Sequence, residues 1–268
     1  MKRARDRSLG KCLLGFLLFW IAAFALPVTS RAAAALHNSR LSVAFNPQDG
    51  SYEIRAAGLE GPVLKSTVGA EVNQARLRSS DYPRHQEAES TFHDALGGGR
   101  EDMITFTGLD SQPDLVCILR LYSDLPYGTV EVKVVNHTAK AVTVGAIRDV
   151  DAVGSPRVNL GGPESADRVM LEGFTEDPTI KIGGLAQAPH GTYFGVGTGL
   201  IYNLESKQSL LLAALTATRF MTSLHLKVDH PSADAATIGS YTADSTGTTE
   251  AVLLRDEIAP EQRVELSL

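Results

Sequence analysis

Apolar and polar residues alternate along most of this chain. In Leu41-Ser42-Val43-Ala44-Phe45 the apolar side chains share one face, as in a strand with one buried side. The segment Asn46-Pro47-Gln48-Asp49-Gly50 follows, and then Tyr52-Glu53-Ile54-Arg55. Pro and Asp-Gly supply the backbone angles of a tight turn, so these pieces predict a hairpin. Thr129-Val130-Glu131-Val132-Lys133-Val134 alternates almost without a break. Further strands are predicted over 103–107, 115–122, 129–135, 142–150, 193–202, 209–215, 223–228, 237–241, 251–254 and 263–268. Turn-forming clusters separate them, among them Asp124-Leu125-Pro126-Tyr127-Gly128, Asn136-His137-Thr138 and Gly161-Gly162-Pro163. Residues 157–189 read as an irregular crossover with weak strands at 168–171 and 179–182. Many short strands and no sustained helical period predict an all-β fold, a large antiparallel β-sandwich.

The first 35 residues have a different pattern. Lys2, Arg3, Arg5, Arg7 and Lys11 precede an apolar run from Cys12 to Val28, and Ala32-Ala33-Ala34-Ala35 follows it. Basic, apolar and small residues in that order make a secretory signal peptide, here assigned to 1–34 with cleavage near 33–35. A spanning helix needs ~20 apolar residues, whereas this run is shorter and is broken by Pro27. Cys12 opens the run instead of following it, which argues against a lipid anchor. The expected location is secreted or periplasmic, with no membrane association after cleavage. Residues 35–268 form the predicted sandwich domain. Gln262-Arg263-Val264-Glu265-Leu266-Ser267-Leu268 reads as a strand in progress, so the domain is expected to be truncated at its C-terminal end.

Removing the leader changes the charge. The chain has 25 basic and 31 acidic residues. The leader takes six basic residues and one acid, leaving 19 against 30, a net of −11. No cluster of Lys and Arg suited to a phosphate backbone is apparent, so nucleic acid is excluded as an expected partner. Cys117 is then the one cysteine left, inside the apolar run Leu115-Val116-Cys117-Ile118-Leu119. It reads as a buried small hydrophobe and not as a nucleophile.

Candidate chemistry is sparse. The seven histidines show no metal-ligand spacing, and no metal or cofactor is expected. Asp81-Tyr82-Pro83-Arg84-His85 with His93-Asp94 is the densest polar and aromatic segment. It lines a pocket with Asp81 and His85 as an acid and base, or it is a solvated loop between strands. Asp149-Val150-Asp151 places two carboxylates on one strand face, the pairing that glycoside hydrolysis uses, or simply ends a strand. A calcium loop through Asp149, Asp151 and Gly154 lacks further carboxylates. No GxSxG elbow is present. The glycines of Gly195-Val196-Gly197-Thr198-Gly199 sit in a strand-like run and mark bulges or close packing. Gly97-Gly98-Gly99 is a loop or a close backbone approach. Asn136-His137-Thr138 matches a glycosylation sequon but is explained by turn chemistry.

Several segments together carry a resemblance. They are Phe45-Asn46-Pro47-Gln48-Asp49-Gly50-Ser51-Tyr52, Ser79-Ser80-Asp81-Tyr82-Pro83, Phe92-His93-Asp94-Ala95-Leu96-Gly97, Pro113-Asp114-Leu115, Leu121-Tyr122, Val135-Asn136-His137-Thr138 and Ile201-Tyr202-Asn203. Over most of the mature chain this pattern resembles the N-terminal region of exported bacterial α-galactosidase-like proteins, the melibiase group related to family 36 glycoside hydrolases. The resemblance implies a β-supersandwich like that of galactose mutarotases, packed in relatives against a catalytic (β/α)₈ barrel that carries both catalytic carboxylates. No segment here reads as the strand-helix repeat of a barrel, so no catalytic residue can be transferred. In relatives this domain can lend loop residues to the rim of the sugar site, and Asp81, Tyr82 and His85 are the carbohydrate-binding candidates.

Three readings follow. The chain is a carbohydrate-associated, non-catalytic domain of a glycosidase. Alternatively it is a self-sufficient mutarotase-like aldose epimerase, which needs a His acid facing a carboxylate base. The third reading is a secreted glycan-binding or structural sandwich.

Overall fold

The computed structural model describes residues 35–171, 181–188, 190–215, 220–232, 235–252, 257–258 and 264–267. The leader assigned to 1–34 lies outside them. In chain order the strands are β1 (Leu36–His37), β2 (Leu41–Asn46), β3 (Ser51–Ala56), β4 (Leu64–Val72), β5 (Ala75–Arg78), β6 (Arg84–Asp94), β7 (Gly97–Thr107), β8 (Asp114–Tyr122), β9 (Tyr127–Val135) and β10 (Val142–Ala152). They continue as β11 (Asp167–Leu171), β12 (Lys181–Gly184), β13 (Gly191–Val196), β14 (Thr198–Asn203), β15 (Ser209–Ala214), β16 (Phe220–Ser232), β17 (Ala235–Val252), β18 (Glu257–Ile258) and β19 (Val264–Ser267). Among the described residues the only helical pieces are single 3₁₀ turns, and no helix is long and apolar enough to cross a membrane.

The strands form two antiparallel sheets. Sheet I runs β1-β2-β3-β4-β10-β17-β16-β13, with β5 paired to β4. Sheet II runs β12-β11-β14-β15-β19-β9-β8-β7-β6, with β18 paired to β9. Alternation decides which side chains enter the space between them. On β2 and β3 it sends in Leu41, Val43, Phe45, Tyr52 and Ile54; on β8 and β9, Leu115, Cys117, Leu119, Val130, Val132 and Val134. Each such side chain contributes about 1.5–3 kcal/mol when fully buried. The fold is therefore the large antiparallel sandwich expected of the sequence.

Several polar side chains are tied to backbone. The Tyr52 hydroxyl donates to the Asp149 carbonyl at 3.0 Å, and the Asn38 amide donates to Tyr122 O at 2.8 Å and Leu125 O at 2.9 Å. Asn136 is buried; its Nδ2 donates to Lys140 O at 2.9 Å and its Oδ1 accepts from Thr138 N at 2.9 Å. Turn chemistry thus accounts for that sequon-like triplet.

Several local expectations need correction. The run 193–202 is two strands and not one: Gly197 adopts φ 81°, a left-handed conformation that glycine takes without strain, and the chain passes there from sheet I to sheet II. Gly97-Gly98-Gly99 is not a loop but opens β7. A Cβ on Gly99 would meet Leu121 O at 2.2 Å, so it is a close backbone approach. The 84–94 segment is not a solvated loop but the edge strand β6, preceded by a 3₁₀ turn at Ser79–Asp81.

Candidate functional site

The outer face of sheet I has a cross-strand order that local sequence cannot reveal. Phe194, His225, Thr242, Asp151 and Thr67 are successive partners on β13, β16, β17, β10 and β4. Ser223, Asp244, Arg148, Gly69 and Arg78 are successive partners on β16, β17, β10, β4 and β5. Adjacent strands lie about 4.8 Å apart, so these rows bring residues distant in sequence side by side.

Where the rows cross β10 they line a basin of about 520 Å³. Its polar wall includes Arg76, Arg78, Arg148, Arg157, Asp151 and Thr242. Arg76 Nη2 and Arg78 Nε both reach Asp151 Oδ2, at 2.7 and 3.3 Å. Arg148 makes a two-point pair with Asp244, Nη2 to Oδ2 at 2.8 Å and Nε to Oδ1. Burial works against the Arg148 charge, but the Asp244 hydrogen bonds outweigh it and raise the guanidinium pKa. Arg157 donates from Nε to Gly239 O at 3.1 Å. Arg157 also borders a second, adjoining cleft of about 470 Å³ with Glu164, Asp229 and Thr237.

The geometry of β10 corrects the expectation for its two carboxylates. Asp149 and Asp151 do not share a face. The pairing of β10 with β17 shifts register between Arg148 and Val150, as a bulge does. Asp149 therefore points inside, fully buried, with Ser245 Oγ 3.5 Å from Oδ2. Burial pushes its carboxyl pKa well up. Asp151 points into the basin, on the same side as Arg148.

The other predicted site residues, Asp81, Tyr82 and His85, do not line the basin and have structural partners. Asp81 Oδ2 accepts the Arg78 N–H at 3.0 Å, holding the end of the strand that carries Arg78. Tyr82 is 2% exposed and donates its hydroxyl to Pro113 O at 2.7 Å. Burial pushes its phenol pKa up. His85 Nδ1 is 3.1 Å from Pro47 O, and its ring stands edge-on to Phe45 at 5.5 Å and Phe106 at 5.3 Å. The basin residues other than Asp151 were not singled out from sequence. The Arg76-x-Arg78 spacing was the visible hint, because i and i+2 share a strand face.

A separate, mainly apolar cavity of about 360 Å³ lies between Val169, Ile182, Leu185, Tyr193, Phe194 and Leu226. Two further acids are perturbed elsewhere. Burial, reinforced by Glu87 and Glu89, pushes Asp102 up to about 6. Burial also pushes Asp167 up to about 6, against the hydrogen bond from Asn203. Among the described residues no group of three His, Cys, Asp or Glu side chains is placed to hold a metal ion.

Comparison with known proteins defines the fold class. No family model matches the chain, and no curated protein matches it. Two solved structures share its architecture, each with a TM-score of 0.55. One is the α-galactosidase from Lactobacillus brevis, 8% identical, matched over 88% of this chain and 39% of that one. The other is a candidate aldose 1-epimerase from Escherichia coli K12, 10% identical, matched over 88% of this chain and 98% of that one. The sandwich thus has the fold of this candidate epimerase and of part of this α-galactosidase. This chain spans about two fifths of the length of the galactosidase.

Proposed function

We propose that this chain is an exported, carbohydrate-associated β-supersandwich that binds sugar in the basin on sheet I and acts beside a catalytic domain without doing the chemistry itself. The observation that carries this reading is the basin. Guanidinium donors and carboxylate acceptors stand on rigid neighbouring strands, where planar groups can meet vicinal hydroxyls with fixed geometry. Asp151 and Asp244 are both engaged by arginine, which suits orientation of a ligand better than proton transfer. The resemblance to α-galactosidase-like proteins and the shared architecture support a sugar as the ligand. The leader composition supports export.

Calorimetric titration of the mature domain with monosaccharides tests the reading. The expected outcome is binding in the millimolar to micromolar range, with no hydrolysis of an aryl α-galactoside. Absence of sugar binding by a folded domain would overturn it.

A second reading, a self-sufficient aldose epimerase, draws on one observation: the chain matches nearly the whole of the candidate epimerase. It calls for a His acid and a carboxylate base across the basin. His225 stands in the same cross-strand row as Asp151, two strands away. Polarimetry on freshly dissolved glucose and galactose, repeated with His225→Ala and His85→Ala, separates the readings. A rate no faster than buffer removes the epimerase.

A further inference from the structure

The geometry points to a sugar bearing an anionic group, a carboxylate or a phosphoryl, as the ligand of the basin. This inference rests on the carbohydrate reading of the same site and narrows its ligand.

The charges on the basin wall do not balance. The Arg148 guanidinium is matched by Asp244 in a two-point pair. The other three basin arginines have only Asp151 to share. Arg76 and Arg78 converge on a single oxygen of it, Oδ2. A guanidinium carries five N–H donors, so most donors of both groups stay available. Arg157 spends one N–H on the neutral carbonyl of Gly239 and has no carboxylate within ion-pairing distance among the described residues. The wall therefore has two positive charges in excess, in a chain whose formal net charge is −6. Glu71, the cross-strand partner of Arg76 on β4, also acts on Arg148 and reduces the excess to one. Glu164 and Asp229 line the cleft on the far side of Arg157, where Asp229 is taken by Lys227 at 2.9 Å.

A neutral sugar would leave this excess uncompensated. A carboxylate or phosphoryl oxygen pair matches the planar fork of arginine and forms charge-assisted hydrogen bonds, roughly twice as strong as neutral ones. Hydroxyl groups at Thr67, Ser80, Ser240 and Thr242 on the same wall are suited to the ring hydroxyls.

The test is calorimetric titration of the mature domain with D-galactose, D-galacturonate and D-galactose 6-phosphate, at low and high salt. The anionic sugars are expected to bind at least about tenfold more tightly than galactose, and salt should erode that preference. Whichever of the two binds more tightly identifies the anionic group. Arg76→Gln and Arg157→Gln should each remove most of the preference. Arg157→Gln also loses the bond to Gly239, so Arg76, 47% exposed at its side chain, gives the cleaner variant. Arg55→Gln, on β3 outside the basin, should leave the preference intact. If galactose binds as tightly as its anionic analogues, or if the preference survives both substitutions, the inference is overturned while the carbohydrate reading stands. If none of the three sugars binds the folded domain, both are overturned.

Discussion

Arg148 and Asp244 face one another across β10 and β17 and join through two hydrogen bonds in the middle of sheet I. Their side chains are 20% and 14% exposed, so the pair is partly withdrawn from water. An exposed pair contributes ~0–1 kcal/mol, whereas breaking a buried one costs ~3–5 kcal/mol. Asp244→Asn is expected to cost about 2 kcal/mol in urea unfolding. The double variant Arg148→Met with Asp244→Leu should cost less than the sum of its single changes. Strict additivity would show that the pair is not energetically coupled.

Asp149 sets up a pH dependence of stability. Burial raises its carboxyl pKa, reinforced by the charges of Glu131 and Asp244, while Ser245 and the Val132 N–H partly offset it. The folded chain keeps the proton, and the unfolded chain releases it near pH ~4. Its contribution is thus fully present below that pH and is lost as pH rises towards the folded-state pKa. Asp149→Asn should leave the melting temperature nearly unchanged at pH 4 and raise it increasingly above pH 5. A difference that stays constant with pH would sink the assignment. Asp102 and Asp167, both raised to about 6, act in the same sense between pH 4 and 6, so the comparison must be made against wild type.

Cys117 is buried, and burial together with nearby acids raises its thiol pKa. In a Cys12→Ser background it should resist aromatic disulfide reagents at pH 8 in the folded state and react at one equivalent in urea. Rapid labelling of the folded chain would contradict the packing of β8 against sheet I.

Gly69 and Gly183 make a matched pair. A Cβ on Gly69 would lie 2.4 Å from Leu77 O, whereas one on Gly183 meets nothing within 4 Å. Gly69→Ala is expected to cost about 1–3 kcal/mol and to weaken sugar binding, because it must displace the strand that carries Arg76 and Arg78. Gly183→Ala should be nearly neutral. Thermal melts and titrations of both variants check this.

Legibility in the sequence tracked how strand faces are used. The β2–β3 hairpin and strands β8 and β9 have one face inward, and their alternation announced them. β4 was missed because Ser66, Thr67, Val68, Gly69 and Ala70 are all buried, so no alternation survives. β6 was missed for the opposite reason. It is a largely polar edge strand, exposed along most of its length, whose charges discourage pairing with another chain. The basin was the least legible part. Arg78, Arg148 and Asp244 meet through the registers of β5, β4, β10 and β17, and register is set by the whole sheet. A period-two reading of Asp149 and Asp151 fails because the bulge breaks the period between them.

That bulge has a consequence for how the molecule tolerates change. Arg148 and Asp151 are three positions apart, an odd interval that would normally turn them in opposite directions. One supernumerary residue reconciles them, so the chain length between these two side chains matters as much as their identities. Excising Val150 would leave Arg148 and Asp151 two positions apart and still on one face, whereas inserting one further residue between them would conserve every charged group of the basin and turn Asp151 away from Arg76 and Arg78. The wall would then be dismantled by a change in spacing alone.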